Sequence, residues 1–150
     1  MLTALLLTAH LLVGVALLGA ITHQSVGLLT PSAIRSSRFI ARYARVDHTA
    51  FTLSIACLFV LSVLLGGLIY PNYRLHVRMP FEHMSMGWAI GLFELKEHFG
   101  GIGIGLLPAY LWVWRSGNVA GRMGFTLVLA FIAWWNFLVG HVLNNLRGLT

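Results

Sequence analysis

The run Gly91-Leu92-Phe93-Glu94-Leu95-Lys96-Glu97-His98-Phe99-Gly100-Gly101-Ile102-Gly103-Ile104-Gly105-Leu106-Leu107 holds the chain's only lysine and two of its four acids, with apolar sequence on both sides. If this segment crosses a bilayer, three charges and an imidazole sit near its middle. Each charge there costs about 2.5 to 3.5 kcal/mol on insertion scales. A burden of that size marks the segment as the place to look for function.

Working outward from it, the 150 residues are 58% hydrophobic and only 9% charged, and the mean hydropathy is +0.82. So few charged side chains cannot cover a soluble globule, and the composition is that of a membrane protein. At a rise of 1.5 Å per residue, four stretches are long enough to cross a hydrocarbon core about 30 Å thick. They are residues 2–22, 49–70, 83–114 and 119–146, which predicts a single all-α domain, a four-helix integral membrane bundle over 1–150. The first stretch has no basic n-region and runs through Gly19-Ala20 into Thr22-His23, so it reads as a span rather than a cleaved signal peptide. The lone Cys57 can form no internal disulfide.

Nine arginines supply nearly all of the positive charge. Arg35, Arg38, Arg42 and Arg45 fall in the first loop and Arg115 and Arg122 in the third. Arg74 and Arg78 fall in the second loop and Arg147 at the end. The bias of basic residues toward cytoplasmic loops then places both termini outside, in an arrangement expected of a bacterial inner membrane. The arginines are scattered over loops without stacked aromatics, which argues against a nucleic-acid partner. Between residues 33 and 46 their spacing predicts an amphipathic helix on the membrane surface, with Asp47 capping the second span. Residues 71–80 alternate polar and apolar side chains between two prolines and read as an extended external segment.

On a helical wheel Gly87, Gly91, Glu94, His98, Gly101 and Gly105 fall within a stripe about 80° wide. Small residues let a neighbouring helix approach closely, so this stripe is expected to face the bundle and to carry Glu94 and His98 inward, with Glu97 at its border and Lys96 turned away. Counting 1.5 Å per residue from the external ends puts Glu94 about 16 Å deep, His98 about 22 Å, His10 about 12 Å and His141 about 8 Å. His10, Glu94 and His141 would then share a layer in the outer half. His23 and His48 would meet at the opposite end.

Three chemistries compete for these groups. Two imidazoles, His10 with His98 or His141, could ligate a b-type haem. Glu94, Glu97, His98 and His10, with His141 as a further imidazole, could bind a metal ion. Glu94, Lys96, Glu97 and His98 could instead form a proton relay or a quinone-binding patch, with Glu94, Lys96 and Glu97 as the catalytic groups. Against all three stands a plain ion-pair network that fixes helix register or docks a partner subunit. Trp112, Trp114, Trp134 and Trp135 read as an aromatic belt or lipid-facing packing.

The early histidine in Thr8-Ala9-His10-Leu11-Leu12-Val13-Gly14, the basic first loop and the Leu92-to-Lys96 run resemble the small helical membrane proteins of the CopD and HemJ group. In the HemJ type, a haem-binding protoporphyrinogen oxidase, a first-helix histidine and a lysine in a later helix are used; by position the resemblance implicates His10 and Lys96. Glu94, Glu97 and His98 lie outside that pattern. The expectation that emerges is a small membrane subunit that binds a redox cofactor, haem b first, and passes electrons or protons to larger membrane partners. The alternative is a cofactor-free accessory subunit whose intramembrane charges dock it in an assembly.

Overall fold

The computed structural model describes residues 1–30 and 47–147. The described chain is helical throughout, with no strand. Helix α1 spans Leu2–Leu29. A 3₁₀ turn, His48–Ala50, leads into α2, Phe51–Tyr73, and a π turn, Arg74–Arg78, joins that helix to the short α3, Met79–His83. Two long helices follow, α4 over Gly87–Ser116 and α5 over Val119–Arg147. The surface helix expected over 33–46 lies outside the described residues.

The four long helices form a closed ring of neighbours: α1 packs on α2 and α5, and α4 packs on the same two. Leu2–Leu29, the continuous His48–His83 stretch and Val119–Leu146 are long and apolar enough to cross a membrane. Helix α4 has the length, at 30 residues, but its glycines and the charges at 94–97 dilute its apolar character.

Three sequence expectations are corrected. Helix α1 runs to Leu29 rather than ending near residue 22, because the polar residues that suggested an end satisfy themselves inside the protein. Ser25 Oγ donates to the Ile21 carbonyl at 2.7 Å, and Gln24 is fully buried among side-chain partners. Residues 71–80 are helical rather than extended. Pro71 sits within the last turn of α2 and Pro80 near the start of α3, with the wider π turn between them, so the chain stays helical past both prolines. The third long helix starts at Gly87 rather than at residue 83, after a turn in which Ser85 takes a positive φ of 55°.

Asp47 caps as expected, accepting from the Thr49 backbone N–H at 2.9 Å and from its hydroxyl at 2.7 Å. The α4–α5 connection is tight. Gly117 adopts a left-handed φ of 79°, the conformation that ends helices on glycine. Asn118 accepts from Gly121 N–H at 3.0 Å, and Arg122 closes the α4 end by donating to the Val113 and Trp114 carbonyls. Trp114 is core rather than belt: it is buried, its indole N–H donates to Thr126 Oγ1 at 3.1 Å, and the Arg122 guanidinium lies over its ring. Trp112 is exposed, as a belt residue would be.

The apolar core is in two parts. The larger, toward the end where α1 stops and α2 begins, gathers Leu17, Ile21, Ile55, Phe59, Leu107, Tyr110, Trp114, Leu129 and Ile132. The smaller, at the other end, gathers Val77, Phe81, Ala89, Val139 and Leu143. No residue of α1 before Leu17 is buried, so α1 adds nothing to the smaller core.

Candidate functional site

Between the two cores lies a polar layer, and α4 explains how it arises. Ala89, Phe93, Lys96, Gly100, Gly103, Leu107, Tyr110 and Trp114 recur at alternating spacings of four and three, which is the seam of a 3.5-residue repeat. This seam faces the bundle. At its upper positions it presents Ala89 and Phe93 to the smaller core, at its lower ones Leu107, Tyr110 and Trp114 to the larger, and in between it offers a lysine and a glycine.

Lys96 therefore points inward, the reverse of the sequence expectation. Its Nζ lies 5.3 Å from the centre of the Phe93 ring, its Cε passes over Gly140 of α5 at contact distance from where a β-carbon would be, and it is within electrostatic reach of His10. His10 comes from α1 and is half-buried. It lies beside the Ser62 backbone of α2, with its Cε1 3.6 Å from the β-position of Gly66. Asn136 of α5 completes the layer next to Gly100.

Several polar atoms in and above this layer have no hydrogen-bond partner among the described residues. His10 Nδ1, Asn136 Oδ1, Trp135 Nε1 and the Tyr73 hydroxyl are all buried without a hydrogen bond. Tyr73 stacks on Phe93 with ring centres 3.5 Å apart, and Trp135 meets Phe99 edge-on. Each unmatched buried polar group costs about 1 to 3 kcal/mol. Unmatched groups of this kind, with His10 within electrostatic reach of the lysine, suit a polar occupant.

Glu94, His98 and the glycine stripe face outward. Gly87, Gly91, Glu94, His98, Gly101 and Gly105 are all exposed, and nothing lies within 4 Å of a β-carbon placed on the four glycines. The stripe repeats every 3.5 residues as regularly as the buried seam; the opposite face won because it also carries leucine and aromatic side chains, whose burial is worth more. Glu94 is ion-paired at 3.6 Å with Arg78, which also holds Glu82 at 2.8 Å. His98 Nδ1 bonds the Glu94 carbonyl oxygen, 2.7 Å away. Glu97 is exposed and lies within electrostatic reach of Lys96. His141 is exposed on α5 and pairs with Asn145 at 3.1 Å.

The layer is built from other residues than the sequence suggested. His10 is present, while Lys96 replaces Glu94 and Gly140 stands where His141 was expected. His98 is on the outer face of α4, away from His10. The metal set His10, His98 and His141, with or without Glu94 and Glu97, is not assembled: among the described residues no group of three or more histidine, cysteine, aspartate or glutamate side chains could hold a metal ion.

A second polar group sits deep in the larger core. Tyr110 donates its hydroxyl proton to Gln24 Oε1 at 2.7 Å, and Gln24 Nε2 donates to the His48 carbonyl at 3.0 Å and to Thr52 Oγ1 at 3.2 Å. This network ties α1, α2 and α4 together. Beside it the rings of His23 and His48 meet with centroids 5.6 Å apart, as their positions at the span ends suggested.

No known protein family matches the chain, and neither a curated protein nor a solved structure is significantly similar to it.

Proposed function

We propose that the chain is a small integral membrane subunit of four spans, α4 included, that holds a redox cofactor in its polar layer and serves electron or proton transfer within a larger membrane complex. One observation carries this reading: His10 Nδ1 and Asn136 Oδ1 are buried and unpartnered around an inward-pointing Lys96. A haem b fits these donors best. His10 would supply an iron ligand, and Lys96 either a second nitrogen or a positive charge against a propionate. When bound, haem provides a one-electron iron couple whose potential follows its axial ligands and burial. A quinone, whose carbonyl oxygens would accept from Lys96 and Trp135, is the next candidate.

The protein's own groups then have distinct tasks. His10 and Lys96 bind and orient. Phe93, Tyr73 and Trp135 wall the layer with aromatic surface. Lys96, Glu97 and the Glu94–Arg78 pair form a line of ionisable groups from the interior layer to the surface, along which a proton could be handed outward. The positions of His10 and Lys96 are also those that the CopD and HemJ resemblance implicates.

The second reading, a cofactor-free accessory subunit, is favoured by the outward stripe. A face of four glycines with Glu94 and His98 is the kind of surface on which another transmembrane helix packs closely. The two readings separate on the absorption spectrum of purified protein. Haem gives a Soret band that is lost in His10→Ala and lost or shifted in Lys96→Met, and that survives His98→Ala and His141→Ala. A colourless preparation, free of quinone on extraction and assembled with partner subunits, supports the accessory role and defeats the cofactor reading.

A further inference from the structure

We infer that His23 and His48 form a two-histidine site for a transition-metal ion at the end of the bundle where α1 stops and α2 begins, separate from the polar layer around Lys96. The first observation is the state of the His48 ring. Both of its nitrogens are buried and neither has a hydrogen-bond partner among the described residues. The ring does nothing for the network next to it, since it is the His48 backbone carbonyl that holds Gln24. Packing alone at this position needs only an apolar ring.

The second observation is geometric. A metal lies about 2.0 to 2.1 Å from an imidazole nitrogen, hence about 3.2 Å from the ring centre, so two ligating rings have centroids about 5.2 Å apart at a tetrahedral angle and about 6.4 Å apart when opposed. The observed separation is 5.6 Å, with the ring planes inclined at 50°. That separation falls between the two values, so the spacing admits one ion between the rings. They come from two helices, α1 and the start of α2, so the ion would clamp the connection between them.

The third observation is how the rings are fixed. Gly27 of α1 is bare where His48 lies: a β-carbon there would overlap the imidazole ring. His23 is held on its other side by Phe51, at 5.0 Å between centroids. Asp47, the carboxylate within electrostatic reach of His48, is engaged by Thr49 through both oxygens, so the donors that suit a transition metal are imidazoles. Its negative charge still favours a cation beside His48. Imidazole suits zinc, copper and nickel, whereas magnesium and calcium select oxygen donors.

The test uses the full-length protein, purified in detergent, stripped with a chelator and titrated with zinc chloride by calorimetry, with copper(II) as a second probe. One equivalent is expected to bind. His48→Phe and His23→Phe keep an aromatic ring in place and should each weaken binding about tenfold or more. Gly27→Ala, which removes no ligand, should weaken it by displacing the His48 ring, whereas His10→Ala should leave it unchanged. X-ray absorption of the zinc-loaded native protein, which needs no variant to fold, should show two imidazoles completed by oxygen. Failure to bind either metal stoichiometrically, a His48→Phe protein that binds as the native one does, or an all-oxygen zinc shell overturns the proposal. None of these results touches the haem reading, whose band depends on His10.

Discussion

The two polar groups inside this bundle differ in one respect that separates structure from function. Around Gln24, every polar side-chain atom involved has a partner: Tyr110 donates, Thr52 and the His48 carbonyl accept, and nothing is left over. Around Lys96, the histidine, the asparagine, a tryptophan and a tyrosine each keep an unmatched atom. A satisfied network stabilises and needs no occupant. An unsatisfied one costs stability until something fills it, so its persistence in a small protein points to a ligand. Mutations should therefore hurt folding at the first group and hurt binding at the second.

The largest folding effect is expected in the core beneath that network, at Gly103, where the Phe59 ring occupies the space a β-carbon would need. Gly103→Val should destabilise by about 1 to 3 kcal/mol, as overpacking does. A concurrent Phe59→Leu should recover part of the loss, as read from unfolding of the detergent-solubilised protein. Gln24→Leu comes next. It strips partners from the Tyr110 hydroxyl and the His48 carbonyl and should cost about 1 to 2 kcal/mol. Tyr110→Phe, which removes one bond of the same network, should cost about 0.6 kcal/mol, the average for an interhelical hydrogen bond in lipid.

Lys96→Met should break the pattern in the informative direction. It replaces an inward charge with an apolar chain of similar length, so stability should change by less than about 1 kcal/mol, or rise, while bound cofactor is lost. A destabilisation as large as that of Gln24→Leu would show that the lysine is structural, and the contrast drawn above would fail. The smallest effect is at Asp47. The two Thr49 hydrogen bonds hold its carboxyl below the ordinary value of 3.8. Its folded form therefore binds protons less readily than its unfolded form, and its contribution is present above pH 3.8 and lost as the pH falls through the lower folded value. In Asp47→Asn the acid-side decline of the melting temperature should be shallower, with no difference near neutrality.

The sequence declared the all-helical class, the four long helices and the Asp47 cap, because apolar length and capping chemistry carry that information directly. It misled on which way α4 faces. That helix has two seams of equal period on opposite sides, one of Gly87, Gly91, Glu94, His98, Gly101 and Gly105, the other of Ala89, Phe93, Lys96, Gly100, Gly103, Leu107, Tyr110 and Trp114. Glycine content favours the first, but the second carries the side chains whose burial holds the core together. Weighing Leu107, Tyr110 and Trp114 against the glycines would have turned the helix correctly. The end of α1 was hidden for another reason: Gln24 looks like a loop residue until Tyr110, 86 positions later, is seen to complete it.

The Gly117–Asn118 turn has a consequence for how the protein is made. Only two residues separate the charged α4 from the more apolar α5, and Arg122 ties the end of one to the start of the other. In the four-span reading the pair would leave the translocation machinery as a helical hairpin, with the alkyl chain of residue 96 already lying against Gly140. On that reading the more hydrophobic partner would carry into lipid a helix that enters poorly by itself.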